Sequence, residues 1–149
     1  MAKVESLLVL ANRTARDIPR FFEISGPGTG DRLTNRYMRF LREIATAEFG
    51  CDYAQQRICG DNQLAPDFYF PDEGTIVEVA LSLRNPNSEF ERDLLKAILA
   101  RAAGHNVTDL VFISRPNKVQ RHQKASSQAF IDWFFKTNAI AVSIHDLLP

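Results

Sequence analysis

Apolar and polar positions along the chain switch between two periods. From residue 65 the chain reads Ala-Pro-Asp-Phe-Tyr-Phe, breaks at Pro71-Asp-Glu-Gly74, and resumes as Thr75-Ile-Val-Glu-Val-Ala-Leu-Ser-Leu83. Two β-rich runs around a Pro/Gly loop predict an antiparallel hairpin. On its N-terminal side, Leu33, Tyr37, Phe40, Leu41 and Ile44 recur at helical spacing. They predict a helix from Asp31, a suitable cap, to about residue 49, with Gly50 as its stop. Residues 7–15 predict an earlier helix, 18–24 an extended piece, 26–30 a loop and 53–59 a strand. Beyond the hairpin, Ser88-Glu-Phe-Glu91 has the form of a capping box. It opens a helix expected to turn Leu94, Leu95, Ile98, Leu99 and Ala102 to a core and to end at Gly104. The unbroken apolar run at 109–114 predicts a buried parallel strand. A helix over 127–137, braced by Asp132 and Lys136, and a strand over 140–144 complete the chain.

This order predicts an α/β domain with a mixed sheet and helices on both faces. The 149 residues are expected to form a single domain. Its core is placed at 31–114, with an N-terminal extension at 1–30 and a C-terminal helix and strand at 115–149.

Composition narrows the chemistry. Cys51 and Cys59 are too few for a disulfide framework or a zinc set, so a reducing cytoplasm is the expected location. No apolar run approaches the roughly 20 residues of a membrane span, and the first residues lack a signal peptide's apolar stretch. Gly26-Pro-Gly-Thr-Gly30 is followed by Asp31-Arg32 rather than Lys-Ser/Thr, which excludes a P-loop. Net charge is zero but unevenly spread. Residues 61–93 hold 2 basic and 8 acidic groups, and residues 94–125 hold 6 and 1. Arginine outnumbers lysine 13 to 5, which favours phosphate or carboxylate recognition.

The acidic excess falls on the hairpin. If Phe70 pairs with Thr75, extending the ladder three residues outward sets Asp67 opposite Glu78. Directly opposed strand residues share a face, with Cβ atoms roughly 4.5–5.5 Å apart. Two facing carboxylates repel and call for a compensating charge. A divalent cation held by hard oxygen ligands would supply it and would suit phosphodiester hydrolysis.

A helix, a three-strand meander carrying Pro66-Asp67 and, after ten residues, Glu78, then a helix and a strand, resembles the PD-(D/E)xK, or restriction-endonuclease-like, nuclease superfamily. The likeness spans about residues 31–114 in element order. It implies a restriction-endonuclease-like fold and magnesium- or manganese-dependent cleavage of nucleic acid, DNA in the first instance. Asp67 and Glu78 would hold the metal, and Glu43 on the first helix of the core would join them as a further acid. The family's lysine, two residues past the glutamate, is Ala80 here, and members of the superfamily move or replace that lysine. Lys96 is expected about 130° from the centre of its helix's apolar face at 100° per residue. Arg84 shares the strand parity of Glu78 but lies roughly 20 Å along an extended chain. Metal alone, a lysine from a loop, or a site that has lost its chemistry stay open as alternatives.

Arg115, Lys118, Arg121 and Lys124 recur every three residues without an intervening acid. Such a segment suits a phosphate backbone, with a homodimer reaching both strands of a duplex. Trp133, Phe130, Phe134 and Phe135 read as a packed helix face. The competing reading is a catalytically degenerate module that keeps the fold and binds nucleic acid or a protein partner.

Overall fold

Short apolar strands with one charged interruption must bury both faces while leaving that charge somewhere it is tolerated, and the sheet is built around this requirement. A computed structural model describes residues 1–24, 26–82, 88–123 and 125–149. It is an α/β structure with a four-stranded mixed sheet and five helices among the described residues. Two compact units are distinguished, Met1–Asp52 with Leu147–Pro149, and Tyr53–Asp146.

The first unit contains α1 (Lys3–Asp17) and α2 (Thr29–Phe49). The Tyr37 hydroxyl donates to the Ala11 carbonyl at 3.1 Å, joining the two helices. Leu33, Tyr37 and Leu41 are buried as their spacing predicts, whereas Phe40 lies beneath the guanidinium groups of Arg36 and Arg39. Asp31 is one turn inside α2 rather than its cap. Gly28 takes the cap position, and its N–H donates to the Asp31 carboxylate at 3.1 Å. Residues 18–23 form turns instead of an extended piece, with Phe21 N–H bonded to the Ile18 carbonyl.

The second unit carries the sheet. Its strands are β1 (Phe68–Phe70), β2 (Thr75–Val79), β3 (Asp109–Ser114) and β4 (Ala141–Asp146), adjacent in that order. β1 and β2 are antiparallel, with Phe70 opposite Thr75 as the hairpin requires, and β2–β3 and β3–β4 are parallel. The helices are α3 (Ser88–Ala102), the short α4 (Lys118–His122) and α5 (Ala125–Asn138). Phe90, Leu94, Ala97 and Ala100 of α3 and Phe134 of α5 pack with Tyr69, Ile76, Leu110 and Phe112 on one face of the sheet.

The expected strand at 53–59 is reduced to an isolated bridge between Ala54 and Phe68. Gln55 adopts a left-handed conformation (φ 53°) that ends the extended run. The strand expected to reach residue 83 stops at Val79, because Leu81 and Ser82 turn. Leu83, Arg84 and Lys124 lie outside the described residues, as does the Ser88 side chain on which the capping box rests.

Gly74 closes the hairpin with φ 60° and packs against the start of β3. Its carbonyl accepts the N–H groups of Thr108 and Asp109. A Cβ there would meet the Asn106 carbonyl oxygen at 2.8 Å and Thr108 Oγ1 at 2.9 Å, so only glycine fits.

Candidate active site

Strand alternation sends Glu78 to the same face as Ile76, the face on which α3 packs. The carboxylate is thereby drawn under a helix, and its side chain is only 2% exposed. An ionised carboxylate at that depth needs a partner. Lys96 supplies it. Its Nζ lies 3.3 Å from both Oε1 and Oε2 of Glu78, and 3.0 Å from Asp93 Oδ1, one helical turn earlier on α3.

Sequence reasoning placed Lys96 away from the core, and the structure corrects this. The large side chains make residues 94, 95, 98, 99 and 102 the expected apolar face. The buried stripe is instead Phe90, Leu94, Ala97 and Ala100, while Leu95 and Ile98 remain exposed. At 100° per residue the helix is turned by roughly 130° from the expected orientation. Ala97 and Ala100 are small enough to bring α3 close to the sheet, and the rotation carries Asp93 and Lys96 inward. The paired small residues are the signal that would have found them.

Asp67 immediately precedes β1, in line with the hairpin ladder. Its N–H donates to Glu78 Oε2 at 3.4 Å, and its Oδ2 accepts the Val79 N–H at 2.7 Å. Gln55 Nε2 donates to Oδ1 at 3.3 Å. The two carboxylates therefore meet at the carboxyl end of β2, where open α/β sheets ordinarily bind ligands. Cys59 lies beneath α3, and its thiol donates to the Lys96 carbonyl at 3.5 Å. Burial pushes that thiol's pKa up, so it acts as a neutral donor.

Charge at the site is only partly balanced. With all groups ionised, Asp67, Glu78 and Asp93 outnumber the single ammonium of Lys96. Burial, reinforced by Asp67 and Asp93, holds the Glu78 carboxyl well above the usual carboxylate range despite Lys96. Burial also raises Asp67 and Asp93. On Lys96, burial alone would favour the neutral amine, but Glu78 and Asp93 outweigh it and leave the pKa raised. Lys96 is therefore an ammonium at neutral pH and cannot accept a proton.

Among the described residues no three His, Cys, Asp or Glu side chains gather as a metal-ion group. The fit to magnesium rests on two carboxylates, Asp67 and Glu78. Magnesium commonly takes one or two carboxylates and completes its shell with water and substrate phosphate. An excess of buried negative charge is consistent with that need.

The remaining expected residues are distributed elsewhere. Glu43 is exposed on α2, in the helical unit. Ala80 is 7% exposed and packs in the core cluster with Phe90 and Leu94. Arg115 directly follows β3, at the same end of the sheet as Glu78, and Lys118 and Arg121 belong to α4. His122, set among those cations in the sequence, is buried with its ring 5.8 Å from that of Phe90. The aromatic helix face is also corrected. Phe134 is buried, but Trp133 and Phe135 are more than half exposed, and Trp133 stacks with Phe130 at 5.9 Å. No helix among the described residues is long and apolar enough to cross a membrane.

Comparison with protein-family models, curated proteins and solved structures gave no match.

Proposed function

We propose that the protein is a metal-dependent nuclease that hydrolyses phosphodiester bonds in nucleic acid, DNA first among candidates, from a site built on Asp67, Glu78 and Lys96. One observation carries the reading. A lysine ammonium reaches the carboxylate of Glu78 beside Asp67 at the carboxyl end of a strand, so that two carboxylates and a cation converge although position 80 is alanine.

Asp67 and Glu78 would hold magnesium or manganese, which supplies Lewis-acid polarisation of the phosphoryl group and a more acidic bound water. Lys96 stays charged, so its part is to stabilise negative charge developing on phosphoryl oxygens rather than to remove a proton. Asp93 keeps that ammonium at the site. Arg115, Lys118 and Arg121 lie where the chain leaves β3 and would hold the phosphate backbone electrostatically.

A second reading, a binding module without chemistry, is favoured by a specific contact. Lys96 already engages both oxygens of Glu78 and answers its charge without a metal. A plasmid-nicking assay with magnesium or manganese separates the two. The nuclease reading requires metal-dependent nicking by the wild type that Glu78→Gln and Lys96→Met each reduce at least a hundredfold. Nicking that is absent, or unchanged in both variants, overturns it.

A further inference from the structure

We infer that Gln55 is a positioning residue for Asp67, held in a strained backbone conformation so that its amide fixes the carboxylate toward the metal site. The inference rests on the metal-binding reading of Asp67 and Glu78 given above.

Four non-glycine residues among those described have positive φ: Arg20, Gln55, Asn117 and Ala139. Three are explained by their places in the fold. Arg20 lies in the turn after α1, Asn117 immediately precedes α4, and Ala139 immediately follows α5. Chain reversals at helix ends commonly use that region. Gln55 is different. It stands next to the Ala54–Phe68 bridge, within a segment that would otherwise run on as an edge strand. Glutamine is not among the residues that adopt this conformation readily, and such outliers concentrate at functional sites.

What the conformation achieves is visible in the hydrogen bonds. The Gln55 N–H donates to the Asp67 carbonyl at 3.1 Å, and the Gln55 side-chain amide donates to Asp67 Oδ1 at 3.3 Å. The other carboxylate oxygen, Oδ2, is held by the Val79 N–H at 2.7 Å. The carboxylate is thus gripped at both oxygens, once from β2 and once from Gln55, and its plane is fixed. A carboxylate offers about four lone-pair sites, so each oxygen keeps capacity for a further ligand. A continued strand at residue 55 would place the side chain by simple alternation, without the local reversal seen here. Gln55 is also exposed, so burial gives no competing reason for a long amide side chain at this position.

The test uses the full chain, manganese as the probe, and two readouts: titration calorimetry and thermal melting by circular dichroism. Gln55→Gly removes the amide and relieves the left-handed strain. The expected result is a melting temperature equal to or above wild type, with manganese affinity reduced at least fivefold. Gln55→Asn keeps an amide on a residue that tolerates positive φ. It should bind manganese with an affinity between those of Gln55→Gly and wild type. Wild-type affinity in Gln55→Gly, or loss of affinity accompanied by a lowered melting temperature, overturns the positioning role alone. Absence of manganese binding by the wild type overturns the metal reading, and the positioning role with it.

Discussion

The Lys96 ammonium lies 3.3 Å from each carboxylate oxygen of Glu78, across a sequence separation of 18 residues between α3 and β2. Neither residue is at home in the interior alone. Glu78 is placed by strand alternation and Lys96 by the rotation of a helix that rests on two alanines. The pair is the junction between the sheet and its covering helix, and it makes that packing sensitive to proton concentration.

Stability should accordingly fall as pH rises. The folded chain binds a proton at Glu78 more tightly than the unfolded chain does, because burial and two neighbouring carboxylates raise its pKa. Stability is fully present below the ordinary value of 4.5 and is lost as pH climbs through the higher folded value. Each unit of difference is worth about 1.4 kcal/mol. Denaturant melts between pH 5 and pH 8 should show the decline in wild type and a flatter profile in Glu78→Gln.

Removing the cation should be most damaging at high pH. Breaking a buried pair by deleting one partner typically costs about 3 kcal/mol or more. Lys96→Met should lose about that much at high pH and progressively less as pH falls, because the proton that burial favours on Glu78 removes the need for an ammonium. A loss that does not change with pH would show that the lysine stem, not its charge, is what the fold requires.

Divalent-ion binding tests the carboxylates directly. Asp67→Asn and Glu78→Gln should each weaken manganese affinity at least tenfold, about 1.4 kcal/mol, since one carboxylate is a poor ligand set. Calorimetric titration checks this without reference to cleavage. Unchanged affinity in both variants would remove the pair from metal binding.

Ala80 gives the converse experiment. On a bare strand, lysine at this position would share the face of Glu78 and complete the family pattern. In the folded protein Ala80 is buried, in the core cluster to which α3 contributes Phe90 and Leu94. Ala80→Lys should therefore destabilise by at least the 1–3 kcal/mol typical of overpacking, and it should not raise nicking. A stable Ala80→Lys protein with faster nicking would mean that α3 is not closed over position 80.

Much of the site was readable because its rules are local. Turn chemistry at residues 71–74 gave the hairpin, and strand alternation then paired Asp67 with Glu78. The 109–114 strand was equally plain, since an unbroken apolar run leaves little choice. Lys96 was missed for a physical reason. α3 carries large apolar residues at Leu95, Ile98 and Leu99 and small ones at Ala97 and Ala100, and only the sheet decides which stripe it accepts. Gln55 was hidden for another. Its left-handed backbone interrupts a pattern whose composition still reads as strand.

The glycine at the hairpin turn gives the site a dimension of length. Gly74 ties β1, β2 and the start of β3 together at one end of the sheet, and Glu78 follows four residues later, roughly 13 Å along the strand. A single inserted residue between them would rotate every later side chain of β2 to the opposite face and exchange Glu78 for an aliphatic neighbour. The spacing from turn to carboxylate is thus a ruler whose unit is one peptide. β2 is buried on both faces, with Thr75 and Val77 as enclosed as Ile76. Homologous chains that preserve the chemistry should therefore exchange its other residues only for side chains suited to a core, yet hold the number of residues between glycine and glutamate constant.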